Sequence, residues 1–190
     1  RRMQRASSMD DFRLETTRLI LRSWRDEDVP PFASMSADPR VMATLGPLMS
    51  VQEAEAMIGR LHAIEERHGH TFWALERKKD GRFLGFCGLV MGNVGPIEGK
   101  IEIGWRLAHD AWGQGYAREA AEASLDWGFS NRDVGQIWAI TTPGNVRSWG
   151  LMERLGLKRH PQLDFGHPKI ADDSPLKHHI TYSIARPDAH

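Results

Sequence analysis

Apolar and polar residues alternate near the start of the chain, which is the pattern of a half-buried strand. The segment Leu14–Trp24 shows this alternation, with Leu19 and Leu21 on one face, so it predicts a first strand. The acidic residues from Asp26 onward then open a predicted helix, which carries Phe32 and stops near Asp38-Pro39, because proline disfavours a helical residue before it.

A longer helix and three strands are predicted next. Ser50 and Glu53 have the spacing of a capping box, in which each side chain bonds the other's backbone amide. An apolar stripe at helical spacing runs from there to Gly69, a residue typical of helix ends. Three β-rich segments separated by turns follow and predict an antiparallel meander, at residues 71–77, 83–92 and 99–108.

The second half of the chain mixes helical and strand patterns. Its predicted elements are a glycine-rich loop at 109–115, a helix at 116–130, a strand at 136–142, a helix at 145–155, a short strand at 157–160, a loop at 161–177 and a closing strand at 178–186. Antiparallel strands followed by a strand–helix–strand unit predict an α/β fold with a mixed sheet.

Composition narrows the classes of partner. The chain has 190 residues, with 25 Lys and Arg against 25 Asp and Glu, so neither a nucleic-acid nor a membrane partner is expected, because both usually require a basic excess. One cysteine, Cys87, excludes an intrachain disulfide and a Cys-rich zinc site. No apolar run approaches the ~18–20 residues of a membrane helix. We expect a cytoplasmic protein, with residues 1–11 as a disordered or non-native tail.

Phosphate-binding chemistry is suggested by the glycine loop. A predicted strand at 100–108 leads into Trp112–Ala117, and a helix starts near Tyr116. Glycines let backbone amides converge, and a helix N-terminus adds partial positive charge, so such a loop can bind phosphate without basic side chains. A plain strand-to-helix turn is an equally good interpretation of the glycines alone. The loop lacks the third glycine of a dinucleotide fingerprint and the Gly-Lys-Ser/Thr of a nucleoside-triphosphate loop.

The sequence resembles a known family at this loop. Trp112–Ala117 resembles the acyl-CoA pyrophosphate loop of the GNAT superfamily of N-acetyltransferases, whose small positions Gly115 and Ala117 match, whereas Trp112 departs from the usual Arg or Gln. Four further segments resemble the branch that acetylates the N-terminal alanine or serine of ribosomal proteins: Leu14–Arg22, Ile101–Trp105, Asn145 with Ser148, and Glu153–Leu157. Together they span about residues 14–186.

The resemblance implies a fold and a way of holding the cofactor. It implies a single N-acetyltransferase domain over residues 12–190, with a mostly antiparallel sheet flanked by helices and splayed at an acyl-CoA cleft between the strands at 100–108 and 136–142. Acetyl-CoA would be the cosubstrate, with no metal. The implied cofactor-binding residues are Leu107, Ala108, Trp112, Gly113, Gln114, Gly115, Tyr116, Ala117, Arg118 and Asn145.

Two residues are candidates for proton transfer in direct attack of an amine on the thioester. Glu102 would be the general base; a sheet glutamate paired with Arg106 is an equal alternative. Ser148 would protonate the departing thiolate, with a plain helix-surface serine as its alternative. Many relatives carry a tyrosine acid where this chain has Met152.

The sequence does not decide whether the acceptor is a protein N-terminal amine or a small-molecule amine. Either acceptor is expected to enter past the helices of residues 25–68 and the 161–177 loop. A non-catalytic domain that binds or senses acyl-CoA is the alternative function, because it would keep the loop without needing Glu102 and Ser148. The oligomeric state, including a homodimer, also stays open. Cys87 is expected to be a core residue rather than a nucleophile.

Overall fold

A computed structural model describes residues 11–188. Their helices and strands follow one another as β1 (Arg13–Glu15), β2 (Leu19–Arg22), α1 (Val29–Ser36), α2 (Pro39–Met42), α3 (Val51–His68), β3 (Phe72–Arg77), β4 (Phe83–Met91), β5 (Ile101–Leu107), α4 (Tyr116–Asn131), β6 (Gln136–Thr141), α5 (Val146–Arg154), β7 (Lys158–Arg159), β8 (Phe165–Gly166) and β9 (His178–Ala185). The predicted tail lies outside the described residues, apart from Asp11.

The strands form a mixed, mostly antiparallel sheet in the order β1-β2-β3-β4-β5-β6-β9-β7, with β8 paired to β9. Strands β3 to β5 are the predicted antiparallel meander, and β2 pairs antiparallel with its first strand. Strand β6 lies parallel to β5 because α4 carries the chain back across the sheet. The predicted mixed α/β architecture is therefore confirmed.

The predicted first strand is wrong in one respect, because the chain reverses within it. Strands β1 and β2 pair with each other, and the turn between them is closed by a hydrogen bond from the Thr16 amide to the Leu19 carbonyl. All four residues of β2 are buried; α4 packs against this strand, and Arg22 bonds to Asp28 and Glu76. Alternation could not show this turn, because the polar residues at 15–18 also fit a strand.

Two other predicted segments are subdivided. The predicted helix from Asp26 begins as a 3₁₀ turn, continues as α1, and stops before Asp38, whose side chain accepts from the Arg40 amide and caps α2. The predicted 161–177 loop contains the short strand β8. By contrast, the capping box of α3 is present as predicted, and Gly69 ends that helix with a left-handed φ of 76°.

Side chains of β5 alternate between two cores. Ile101, Ile103 and Leu107 pack in the core beneath α4. On the opposite face, Arg106 approaches Phe32 and Phe86 of the core beneath α1 and α3. The two faces of the central strand β5 therefore pack against different sets of residues. Among residues 11–188, no helix is long and apolar enough to cross a membrane.

Candidate active site

The sheet opens between β5 and β6. Only Glu102 and Trp138 pair across this parallel contact, near the start of both strands. Beyond that pair the strands diverge, and a cavity of about 710 Å³ lies beside the opening. The loop that leads into α4 follows β5, and the loop that leads into α5 follows β6, so both helix starts border the cavity.

Backbone amides of β5 point into this opening. The Ala108 amide donates to the Leu84 carbonyl of β4 at 2.9 Å, and residues along an antiparallel strand alternate between facing the partner and facing away. The Trp105 and Leu107 amides therefore face away from β4, toward the side where β6 has diverged. The Leu107 carbonyl accepts from the Trp112 indole at 3.0 Å. The strand thus offers unpaired donors at its open edge.

The glycine loop presents a second set of donors. Gly113 and Gly115 adopt left-handed φ values of 73° and 81°, which only glycine reaches at little energetic cost. Gly115 is the N-cap of α4. The backbone bonds of the described chain use none of the amides from Gly113 to Arg118, as expected for the first turn of a helix. These amides and the helix dipole make a place suited to an anion.

A brace from the start of the chain holds this loop. The Glu119 carboxylate accepts from the Thr16 hydroxyl, the Arg18 amide and the Arg18 Nε at 2.5, 2.9 and 2.8 Å. Arg18 also donates to the Gln114 carbonyl at 2.9 Å and stacks on Tyr116 at 4.3 Å. Sequence reasoning assigned no role to these residues, although Thr16 and Arg18 belong to the opening segment that resembles the family.

The start of α5 contributes the opposite wall. Asn145 is its N-cap, and its side-chain oxygen accepts from the Ser148 amide at 3.4 Å. Both residues line the cavity, and no hydrogen bond from the Ser148 hydroxyl to another described residue is present. Met152, by contrast, is buried in the core, so it does not take the place of a cavity acid.

Glu102 has unusual surroundings for a carboxyl group. Its neighbours in register are Val90 of β4 and Trp138 of β6, both apolar. No described residue forms an ion pair or hydrogen bond with its side chain, and in particular Arg106 does not. Part of Glu102 is open to solvent, yet the surrounding protein removes enough water from the carboxyl to raise its pKa to about 7.

Arg106, which sequence reasoning treated only as a partner for Glu102, lines the cavity. Its side chain has no carboxylate partner among the described residues, and burial lowers its pKa to about 10. Four other arginines line the cavity with it: Arg40, Arg118, Arg147 and Arg154. No acidic residue of the described chain lines it. The cavity walls are therefore positively charged.

Most of the predicted site residues come together at this cavity. Its lining includes Leu107, Trp112, Gly113, Gly115, Tyr116, Ala117, Arg118, Asn145 and Ser148. Three predicted residues are not among them: Glu102, Ala108 and Gln114. The Ala108 amide is already bonded to β4, and the Gln114 side chain donates to the Asp110 carbonyl. No residue of the 161–177 loop lines the cavity, whereas the segment after α2 does, through Ala43, Thr44 and Leu45.

Other reactive side chains lie elsewhere. Cys87 is fully buried, as predicted for a core residue, and burial raises the pKa of its thiol to about 12. Within residues 11–188, no three His, Cys, Asp or Glu side chains are grouped so that they could hold a metal ion. The chemistry at the cavity is therefore that of backbone donors, arginines, one neighbouring carboxyl and the hydroxyls of Thr44, Tyr116 and Ser148.

Comparison with known proteins identifies the class. The sequence model of the acetyltransferase (GNAT) domain family matches residues 18–158. The uncharacterized N-acetyltransferase YnaD of Bacillus subtilis (strain 168) is 37% identical over 147 residues, which cover 77% of this chain and 82% of YnaD. The chain therefore belongs to the GNAT acetyltransferase family, and it is an acetyltransferase.

Solved structures of similar fold agree with this membership. The ribosomal-protein-S5-alanine acetyltransferase from Vibrio fischeri superposes with a TM-score of 0.72 at 17% identity, covering 94% of this chain and 98% of that one. The spermidine N-acetyltransferase from Vibrio cholerae, solved with CoA and spermine, gives a TM-score of 0.70 at 16% identity, covering 90% and 97%. At these identities the likeness concerns the fold.

Proposed function

We propose that this protein transfers the acetyl group of acetyl-CoA to a primary amine by direct attack while both substrates are bound. One observation carries the proposal: the unpaired amides of β5 and those of the glycine loop border the same cavity. The first set suits an acyl group and the second suits phosphates, and an acyl-CoA carries these two groups at the two ends of its pantetheine arm.

The cavity residues fit the cosubstrate's charge. The amides of Gly113 to Arg118 would bind its pyrophosphate together with the dipole of α4. Arg118 lies beside this loop, although it also pairs with Glu122 at 3.0 Å. Asn145 would contact the pantetheine arm from the α5 side, and Trp112 would form part of the wall. Acetyl-CoA supplies the reactive thioester, and every other task falls to the protein.

The Trp105 and Leu107 amides would donate to the thioester carbonyl oxygen as it gains negative charge, an effect that often contributes a large share of acyl-transfer catalysis. Ala108 would not donate to the cosubstrate, because its amide is bonded to β4 and it does not line the cavity. The donors are fixed in a strand, so they need little reorganisation during the reaction.

Two proton transfers complete the reaction. Glu102 would take the proton that the attacking ammonium must lose, and a carboxyl with a pKa of about 7 is suited to this at neutral pH. Because Glu102 does not line the cavity itself, a water molecule would relay the proton. The Ser148 hydroxyl would give a proton to the departing thiolate from the opposite wall.

The test is to incubate the protein with acetyl-CoA and a panel of amines and to follow free CoA with a thiol reagent. The chain's one cysteine is fully buried, so the protein adds little background. We expect CoA release that depends on the amine, above a control without acceptor. Tight CoA binding without release for any amine would instead favour the non-catalytic acyl-CoA-binding domain.

A further inference from the structure

Arg106 is a cation without a counter-ion at the cavity. Its Nη1 approaches only two neutral groups, the Ser36 hydroxyl at 3.4 Å and the Met49 sulfur at 3.6 Å. Its Nε is enclosed and has no hydrogen-bond partner, and its Nη2 bonds to no described residue. The enclosed Nε cannot reach a ligand in the cavity, so the two Nη atoms are the part of the guanidinium that is left for a group the described residues do not supply.

The rest of the molecule shows that this is exceptional. Arg22 is buried, whereas Arg106 is half-buried, and Arg22 donates to both oxygens of Asp28 at 2.8 Å and to Glu76 at 3.2 Å. Arg106 instead has only cation–π contacts, with the rings of Phe86 and Phe32 at 5.4 and 5.9 Å, which are weaker than an ion pair. A half-buried guanidinium without a carboxylate partner is unfavourable, so its presence at a cavity points to an anionic ligand that pairs with it.

Acetyl-CoA is not the natural partner for this side chain. The glycine loop and α4 lie on one face of β5, whereas Arg106 extends from the other face toward α1 and α3. The phosphates would therefore meet Arg118 and the arginines of α5, Arg147 and Arg154, before they met Arg106. The side of the strand that Arg106 occupies is the side of Glu102, where the attacking amine must lose its proton.

We propose that Arg106 binds a carboxylate of the acceptor, so that the acceptor is a primary amine that also carries a carboxylate. This proposal rests on the proposed function and specifies its substrate class. A guanidinium fork matches a carboxylate with two parallel hydrogen bonds, and no acidic residue lines the cavity among the described residues to attract a polyamine.

The two ends of such an acceptor have places on the same face of β5. Glu102 and Arg106 are separated by three residues, which puts their Cα atoms about 13 Å apart in a strand. Between them Gly104 has no side chain, and the Phe72 ring lies against it, 2.7 Å from where a Cβ would stand. The surface between the two residues is therefore apolar, which suits the carbon chain that joins the amine to the carboxylate.

The test compares amino acids with their carboxamides as acceptors. The acids are glycine, β-alanine and γ-aminobutyrate, each compared with its carboxamide. They keep the primary amine and vary the number of carbons between the amine and the carboxylate. Spermidine tests a cationic acceptor instead. We expect kcat/KM to favour the free acids by about ten- to a hundredfold, the range for a hydrogen bond to a charged group. Arg106→Met keeps the stem on the aromatic rings and removes the charge, and it should abolish this preference.

Two further readouts separate ligand binding from a structural role. Arg106→Met should keep its Kd for CoA and should not lower Tm, because replacing an unpaired buried charge by an apolar residue is often neutral or stabilising. Arg82→Gln, which removes an arginine paired with Asp110 outside this cavity, is the matched control and should keep the acid preference. If Arg106→Met does not fold, Arg106→Lys takes its place and should reduce the preference, because lysine lacks the fork.

Several results would overturn the proposal: acylation of amides or spermidine as fast as of the free acids, an acid preference that survives in both Arg106 variants, or a loss of CoA affinity in Arg106→Met. Absence of CoA release with every amine contradicts the proposed function instead. In that case binding decides: with CoA present, free acids should raise Tm of the wild type more than amides do, and equal shifts would reject the carboxylate site.

Discussion

Glu102 is a carboxyl group whose acidity is set by its apolar neighbours. Val90 and Trp138 flank it in the sheet, and no basic side chain pairs with it among the described residues. Loss of water therefore acts without an opposing charge and raises its pKa to about 7. The same strand carries Arg106, a cation equally without a partner. At the scale of single residues, the site consists of two charges that the fold leaves uncompensated.

Replacing Glu102 by Gln should change both activity and the pH dependence of stability. Wild-type kcat/KM should rise with pH and level off above about 7, as the carboxyl ionises. In Glu102→Gln, kcat/KM should be about 10²–10⁴-fold lower and should no longer depend on pH in this way. Stopped assays from pH 5 to 9 measure it. A variant with wild-type rate and profile would exclude Glu102 as the base.

The stability effect has a definite sign. Because the folded pKa is about 7 and the ordinary value is 4.5, ionisation favours the unfolded chain between these two pH values. The free energy of unfolding of the wild type should therefore fall relative to Glu102→Gln from pH 4.5 to 7, by at most about 3 kcal/mol and by less where water enters. Below pH 4.5 this difference should no longer change with pH. Urea titrations across that range measure it.

At the scale of elements, the site depends on where α4 and α5 begin. Each helix follows a strand that borders the opening in the sheet, so their N-terminal amides face the same cavity. The start of α4 needs two glycines with positive φ, which a residue with a Cβ adopts only under strain. Glycine at these positions therefore serves both the turn and the exposed amides.

Gly115→Ala should weaken CoA binding by at least about tenfold, because a strained N-cap displaces the amides that bind phosphate. The new Cβ would also lie 3.3 Å from the Arg18 guanidinium. Gly81→Ala is the matched control, since Gly81 has a similar φ of 70° in a turn remote from the cavity. Both variants should lose about 1–3 kcal/mol of stability, but calorimetric titration should find weaker CoA binding only for Gly115→Ala. Unchanged affinity would reject the loop assignment.

At the scale of the whole molecule, distant parts of the chain fix the loop. Glu119 of α4 binds Thr16 and Arg18, about a hundred residues earlier in the sequence. Burial by itself would raise the pKa of Glu119, but hydrogen bonds from Thr16 and Arg18 lower it below the ordinary carboxyl value. These hydrogen bonds should therefore stabilise the folded protein above about pH 4.5, and this stabilisation should disappear as acid protonates the Glu119 carboxylate.

Glu119→Gln should lower stability by about 1–3 kcal/mol, the range for hydrogen bonds to a charged group, and should weaken CoA binding by loosening the loop. Glu122→Gln is the matched control on the same helix, because its carboxylate forms an exposed pair with Arg118 that contributes at most about 1 kcal/mol. Thermal unfolding with and without CoA compares them. Equal effects of the two variants would show that the brace does not support the loop.

Sequence patterns predicted most elements but missed reversals and long-range pairs. The capping box of α3 and the glycine loop depend on neighbouring residues, so local spacing revealed them. The turn inside Leu14–Trp24 and the strand β8 were missed, because their backbone bonds do not alter the alternation of side chains. The Glu119 brace was missed for a different reason: a carboxylate in a first helical turn has an ordinary local explanation.

The sequence by itself determined the family, the order of most elements and the loop at Gly113–Arg118, since these depend on short-range spacing and motifs. Only the tertiary structure decided that β5 and β6 separate after one paired position. It also decided that, among residues 11–188, the Trp105 and Leu107 amides are left unpaired and Glu102 and Arg106 have no counter-ions. These properties depend on which hydrogen-bonding and charged groups surround each residue in the fold. Those surrounding groups come from parts of the chain that are remote in sequence.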